Sequence, residues 1–350
     1  MNRVTMDKQA NQAGEEHDRQ GGAAVKALAA GEFSDMAAAF TSAGLSVERP
    51  AHGMLRLSRP SAEPKRMRLL LSVGIHGDET TPVEIVGRIL HGLAQAPQRS
   101  SLATDLDLML VVGNTAAIAA GRRFIDADLN RMFRDQRGDL AQTAEALRAD
   151  DIMRATAAFF KGGPAGEKWH LDLHTAIRPS RYPAFAVVPD DIAQPGKLAL
   201  LGCLGAAGLE AAILNPASAG TYSAWTAGRF GAVAATVELG QVGSIGGNDL
   251  ERFAAASAML DAFLATGAPP SAPPPAIFRV KQQLVKQSPA FRMAIDRMAP
   301  NFTEMQPGEL IAEDGDVIYR VGSEPEYVVF PNPDVRPGLR AGLMVIRSAL

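Results

Sequence analysis

Residues 67–96 read MRLLLSVGIHGDETTPVEIVGRILHGLAQA. The first seven form an apolar run of strand length. From Thr81 onward, apolar residues recur at spacings of three and four, the mark of an amphipathic helix. A strand, a glycine-bearing turn and a helix make the repeating unit of α/β folds. The alternation continues along the chain. DLDLMLVV (105–112) predicts a strand that ends at Gly113-Asn114, and residues 140–160 predict a long helix. WHLDLHT (169–175) alternates with period two, FAVVP (185–189) and AAILN (211–215) are short strands, and AVAATVEL (232–239) is a strand before a Gly-rich loop and a helix over 248–265. A further helix is predicted over roughly 32–43. The pattern predicts a three-layer α/β sandwich about a mixed, largely parallel sheet.

The pattern stops at GAPPSAPPPA (267–276), where proline can continue neither a helix nor a central strand. Beyond it come short strand-like runs with turn signals: FRVKQQLV, GELIAEDGDVIYRV, PEYVVFPN and GLMVI. Residues 1–22 are polar and end in glycine, the composition of a flexible tail. The expected organisation is a tail over 1–22, an α/β domain over 23–266, a linker over 267–276 and a β-rich domain over 277–350.

Composition narrows the function. The chain has 350 residues, 47% hydrophobic and 21% charged, as ordinary globular proteins have. A net charge of −3 without long blocks of one sign gives no reason to expect a nucleic-acid or membrane partner. One cysteine, Cys203, rules out an intrachain disulfide and a Cys-based metal cluster. The first 22 residues lack the apolar core of a secretory signal, and no run nears the roughly 20 apolar residues of a membrane span. A soluble cytoplasmic protein is expected, with homo-oligomerisation left open.

In open α/β sheets, ligands bind beyond the carboxyl ends of the strands. His76 and Glu79 follow the first strand, Asn114 the second, while His174 closes WHLDLHT and Glu238 closes AVAATVEL. Parallel strands would bring them to one edge. His76 and Glu79, three apart, are suitable zinc ligands. Taken alone, the pair reads more readily as a loop histidine and a helix N-terminal acid. His170 and His174 are about 13 Å apart at ~3.3 Å per extended residue, so one ion cannot take both. His174 lies at the ligand edge and is chosen; His170 is expected in the core, with Asp172 as acceptor for an imidazole N–H. His, Glu and His with an open fourth position is a catalytic zinc pattern. Glu238 is then the candidate general acid/base, or a strand-end acid in an ion pair. In GRRFIDADLNRMF (121–133), Arg123 and Arg131 are candidates to grip carboxylates bidentately, with Asp128 to orient one of them and Asn130 to donate a hydrogen bond; the same run also reads as a solvated surface loop. Arg178 is a further carboxylate candidate. Asp78 has two readings, orienting His76 or capping the helix that follows.

Four stretches in this order, GIHGDETTPVEI, GRRFIDADLNRMF, WHLDLHTAIR and VELGQVGSIGGNDLERF, resemble the succinylglutamate desuccinylase and aspartoacylase family of zinc carboxypeptidase-like deacylases. DLHTAIR is similar to the desuccinylase branch, where aspartoacylases tend to read DLHNTT. NFTEMQPGELIAEDG and EYVVFPNPDVRPGLRAGLM also resemble its C-terminal region, so the likeness spans roughly 50–350. It implies one zinc ion on His76, Glu79 and His174, Glu238 as general acid/base, and substrate contacts at Arg123, Asn130 and Arg131. It also implies hydrolysis of the small molecule N-succinylglutamate to succinate and glutamate in arginine breakdown. The Gly-Ser-Ile at 243–245 departs from the Pro-Phe-like segment expected after the catalytic acid. The rivals are a deacylase of another N-acyl amino acid such as N-acetylaspartate, a zinc carboxypeptidase, and a non-catalytic zinc-binding module. A free acid at Glu238 argues against the last.

Overall fold

The computed structural model describes residues 21–60, 67–95, 102–161, 167–216 and 220–349. The predicted tail thus lies outside the described residues up to residue 20. Gly21 and Gly22, assigned to that tail, instead lie in a helix, α1, described over 21–30. Helix α2 (Ser34–Ser42), strand β1 (Ser46–Glu48) and strand β2 (Met54–Ser58) follow. The quoted stretch folds as strand β3 (Met67–Val73) and helix α3 (Thr81–Gln95). Next come β4 (Leu106–Val112), α4 (Thr115–Ala120), α5 (Ala144–Phe160), β5 (Lys168–Ala176), β6 (Ala184–Pro189), α6 (Gln194–Ala206), β7 (Ala211–Asn215), α7 (Tyr222–Phe230), β8 (Val233–Gln241) and α8 (Ala254–Thr266).

Strand β9 (Ala276–Val285) opens the C-terminal part, with β10 (Arg292–Met293), β11 (Thr303–Met305), β12 (Leu310–Asp314), β13 (Val317–Arg320), β14 (Glu326–Val329) and β15 (Arg340–Arg347). Among the described residues, one sheet of twelve strands runs β1-β2-β4-β3-β5-β8-β6-β7-β9-β15-β14-β11, and a second holds β10-β12-β13. Strands β4, β3, β5 and β8 are mutually parallel. Strand β6 reverses against β8, and β7 and β9 continue parallel to β6. The sheet is therefore mixed around a parallel centre.

Alternation along the strands sorts side chains into two cores. Leu69, Leu71, Trp169, Leu171 and Leu173 pack with α1, α2, α3, α6 and α8 on one face. Leu70, Met109 and Val111 pack with α5, α7 and the 127–133 segment on the other. These are the three layers. His170, Asp172 and His174 alternate with Trp169, Leu171 and Leu173 and so point to the second face. The Pro-rich segment lies along α6, where Ala272 N donates to Gly202 O at 3.0 Å. Phe185 and Ile213 share a core with Phe278, Phe302, Leu343 and Val345, which joins the C-terminal strands to the α/β part.

Candidate active site

Parallel strands place four chain turns on one edge. The turn after β3 is possible because of two glycines. Gly74 takes φ +61, a region L side chains rarely adopt. A Cβ on Gly77 would lie 2.2 Å from the Ala117 carbonyl carbon, so only glycine lets this turn press on α4. The turn delivers His76 and Glu79, and the end of β5 delivers His174. One ligand atom from each lies within 4.8 Å of the others, and all three residues are buried. Neighbouring β8 brings Glu238 into register opposite His174.

The two imidazoles are oriented alike. His76 Nδ1 lies 2.8 Å from Glu79 Oε1, and His174 Nδ1 lies 2.8 Å from Glu79 Oε2. Each Nε2 faces another carboxylate: Asp128 Oδ1 at 2.9 Å from His76, and Asp172 Oδ2 at 3.0 Å from His174. Carboxylates behind ligand histidines fix the ring and raise its basicity. Asp172 is itself held by Ser72 Oγ, which donates to Oδ1 at 2.5 Å. His170 sits deeper, between Ser72 Oγ and Thr226 Oγ1, each at 2.8 Å, and edge-on to Tyr222. Burial pushes its pKa down to about 4, so it is a neutral core histidine.

Charge follows this packing. Burial opposes ionisation of Glu79, but His76 and His174 outweigh it and hold its carboxyl well below the usual range. Burial likewise disfavours a charged His174, yet Asp172 and Glu79 hold it well above an ordinary imidazole. Glu238 is the exception. Burial, and then the Glu79 charge, push it up to about 7, and its Oε2 has no hydrogen-bond partner among the described residues. A metal fits here on the chemistry of the donors: two imidazole nitrogens and a carboxylate, buried together and backed by acids, beside a carboxyl with a free oxygen.

The other predicted residues are placed as follows. Arg123 Nη1 donates to Glu79 Oε1 at 2.7 Å, which ties this guanidinium to the cluster. Asn130 is buried; its Nδ2 lies 3.4 Å from His174 Nε2, and its Oδ1 accepts from Tyr222 N at 2.9 Å. Arg131 Nη1 donates to the Asn130 carbonyl at 2.8 Å. Arg178 makes no hydrogen bond or ion pair with the His/Glu cluster among the described residues; its Nη1 is buried without a partner there, and the charges that act on it are those of Arg297, Asp334 and Asp296. Asn114 does not reach the cluster either: its Oδ1 caps α4 and its Nδ2 donates to Glu145. Asp78 neither bonds His76 nor caps α3; its Oδ1 is buried without a partner among the described residues.

Two supports were not predicted. Glu145 in the first turn of α5 accepts from the N–H groups of Ile125, Asp126 and Ala127 at 2.7–3.1 Å, which pins the arginine-bearing loop. Glu84 of α3 accepts from Gly246 N at 2.9 Å, and Thr80 Oγ1 donates to Gly243 O at 2.9 Å, which fixes the loop after Glu238. Both glutamates read in the sequence as ordinary helix acids.

Residues 65–264 match the family described as Succinylglutamate desuccinylase/Aspartoacylase catalytic domain, and residues 273–348 match the AstE/AspA barrel-sandwich hybrid domain. The chain belongs to the succinylglutamate desuccinylase/aspartoacylase family. A Burkholderia pseudomallei (strain 1710b) protein named succinylglutamate desuccinylase is 41% identical over 300 residues, covering 85% of this chain and 84% of that one. The solved structure of the Vibrio parahaemolyticus succinylglutamate desuccinylase is 32% identical, with a TM-score of 0.79 over 87% of this chain and 89% of that one. That of the Chromobacterium violaceum enzyme is 33% identical, with a TM-score of 0.73 over 90% and 98%. The fold of this desuccinylase/aspartoacylase member is thus shared along both matched segments.

Proposed function

We propose that this chain is a cytoplasmic, zinc-dependent amide hydrolase that cleaves N-succinyl-L-glutamate to succinate and L-glutamate, a step of arginine catabolism. The observation that carries the chemistry is Glu238, a buried carboxyl with a free oxygen and a pKa near 7, set opposite His174. The names of the 41%-identical relatives and of the aligned structures support the substrate.

His76, Glu79 and His174 would hold the zinc ion, which supplies a Lewis acid for the acyl carbonyl and lowers the pKa of water to about 7. Glu238 takes a proton from the attacking water and returns it to the leaving amine nitrogen. A carboxyl near pH 7 suits both transfers. We assign Arg123 to the developing oxyanion and Asn130 and Arg131 to substrate carboxylates. Asp128 and Asp172 keep the imidazoles turned toward Glu79.

The test is an assay of purified protein on N-succinylglutamate, N-acetylaspartate and a dipeptide, with and without chelator. Succinate release should dominate, vanish on complete metal removal and return with zinc. Release that survives metal removal would overturn the metal-assisted reaction. Preference for N-acetylaspartate would overturn the substrate and leave the chemistry standing.

A further inference from the structure

Behind the His/Glu cluster lie four polar side chains that are fully buried: Ser72 on β3, His170 and Asp172 on β5, and Thr226 on α7. The reaction proposed above gives Ser72, His170 and Thr226 no task. Parallel β3 and β5 pair Ser72 with Asp172 in register, and His170 lies one pleat back on the same face. Ser72 Oγ therefore meets both, Asp172 Oδ1 at 2.5 Å and His170 Nε2 at 2.8 Å. On the far side of the ring, His170 Nδ1 lies 2.8 Å from Thr226 Oγ1.

The supply of protons gives this chain a direction. A carboxylate only accepts, so the one proton of Ser72 goes to Asp172 Oδ1. Ser72 Oγ then has only lone pairs for His170, and Nε2 of that ring must carry a proton. His170 is neutral, its pKa pressed down to about 4 by burial, so it has one ring proton and Nδ1 has none. Thr226 Oγ1 then meets Nδ1 as the donor, and the Ser223 carbonyl, 2.9 Å away, competes for the same hydroxyl. The chain thus runs from Thr226 to His170 to Ser72 to Asp172. Reversed, it would set the Ser72 oxygen 2.5 Å from a carboxylate oxygen with no proton between them. Asp172 has no other anchor. Its Oδ2 stands 3.0 Å from His174 Nε2 as a close ion pair off the line of a straight hydrogen bond, and has no hydrogen-bond partner among the described residues. The rotation of this carboxylate is therefore set by the bond from Ser72.

We propose that Ser72 and His170 are positioning residues of the metal site: the one-way chain from Thr226 locks the Asp172 carboxylate against His174, whose Nδ1 stays turned to Glu79. The ligand concerned is the zinc ion that His76, Glu79 and His174 would hold, so the inference rests on that role for the cluster.

Two measurements on the full chain test it. The first is nitrogen-15 NMR of the histidine rings. His170 should carry its proton on Nε2 in the wild type and move it to Nδ1 in Ser72→Ala, where Thr226 becomes the acceptor and donates to Ser223. A wild-type His170 protonated on Nδ1 overturns the chain, and this reading needs no substitution, so it decides even where a variant fails to fold. The second is zinc affinity by competition with a chelator, referred to the folded fraction. Ser72→Ala should bind zinc about tenfold to a hundredfold more weakly, the usual cost of losing a group that orients a ligand. Ser72→Thr, which keeps the hydroxyl, should recover most of this; equal losses in the two variants overturn the role of the hydroxyl. A wild-type chain that binds no zinc overturns the metal role of the cluster and the positioning role with it. A wild type that binds zinc, beside a Ser72→Ala that binds it equally tightly, overturns the positioning role alone.

Discussion

The decisive contrast at the residue scale lies between two glutamates. Glu79 is buried among cations and stays ionised; Glu238 is buried beside Glu79 and does not do so readily. One carboxyl suits a ligand and the other a proton carrier. Glu238→Gln removes the proton carrier and no metal donor. We expect zinc content near one per chain and turnover reduced at least about a thousandfold, read by metal analysis beside the succinate assay. Loss of zinc, or retained rate, would place Glu238 in a different role. The same variant has a stability signature in metal-free protein. The folded Glu238 value, about 7, lies above the ordinary 4.5, so its stabilising contribution is present below pH 4.5 and lost as pH rises to 7. Glu238→Gln should therefore be the more stable protein above pH 7, by up to about 3 kcal/mol at about 1.36 kcal/mol per pKa unit, and the difference should shrink toward pH 4.5. Denaturant unfolding at pH 5 and 8 reads this directly.

The elements explain why His174 rather than His170 serves the site. Strand geometry puts both on one face, and only the carboxyl end of β5 reaches the turn after β3. That much was legible from period two and the position of GIHGDE. The loop that bears Arg123, Asn130 and Arg131 was legible as composition but not as geometry. Its shape depends on Glu145, which lies 14–22 residues downstream and gathers three backbone donors and Asn114. Glu145→Gln keeps the size but loses the charge and one acceptor oxygen. It should cost about 2 kcal/mol of stability, the range of hydrogen bonds to a charged group, and raise KM more than it lowers kcat. Unfolding by denaturant with parallel kinetics checks both, and unchanged values would show the loop is held otherwise. Helices α6 and α7 were not read from the sequence, since their small residues, QPGKLALLGCLGA and YSAWTAGRF, give no clear apolar stripe.

For the whole molecule, the Pro-rich segment reads in the sequence as a linker between two domains. Strand β9 follows it into the main sheet beside β7, and Phe278 buries itself with Phe185 and Ile213. A shared sheet and core couple the two segments. Heating should produce one cooperative transition, with calorimetric and van't Hoff enthalpies agreeing. Phe278→Ala should lower the stability of the entire transition by about 3–5 kcal/mol. Two resolved transitions, of which only one moves, would show the segments fold independently.

The amino-acid sequence by itself determined the α/β class, the strand ends that carry His76, Glu79, His174 and Glu238, and the C-terminal β content. Those features follow from hydrophobic period and from glycine and proline, which act over a few residues. Only the tertiary structure decided that Glu238 Oε2 has no hydrogen-bond partner among the described residues, that Asp128 and Asp172 stand behind the two imidazoles, and that Glu145 gathers the arginine-bearing loop. Each of these joins residues from different elements, and burial and field at a point depend on everything packed around it, which no local pattern records.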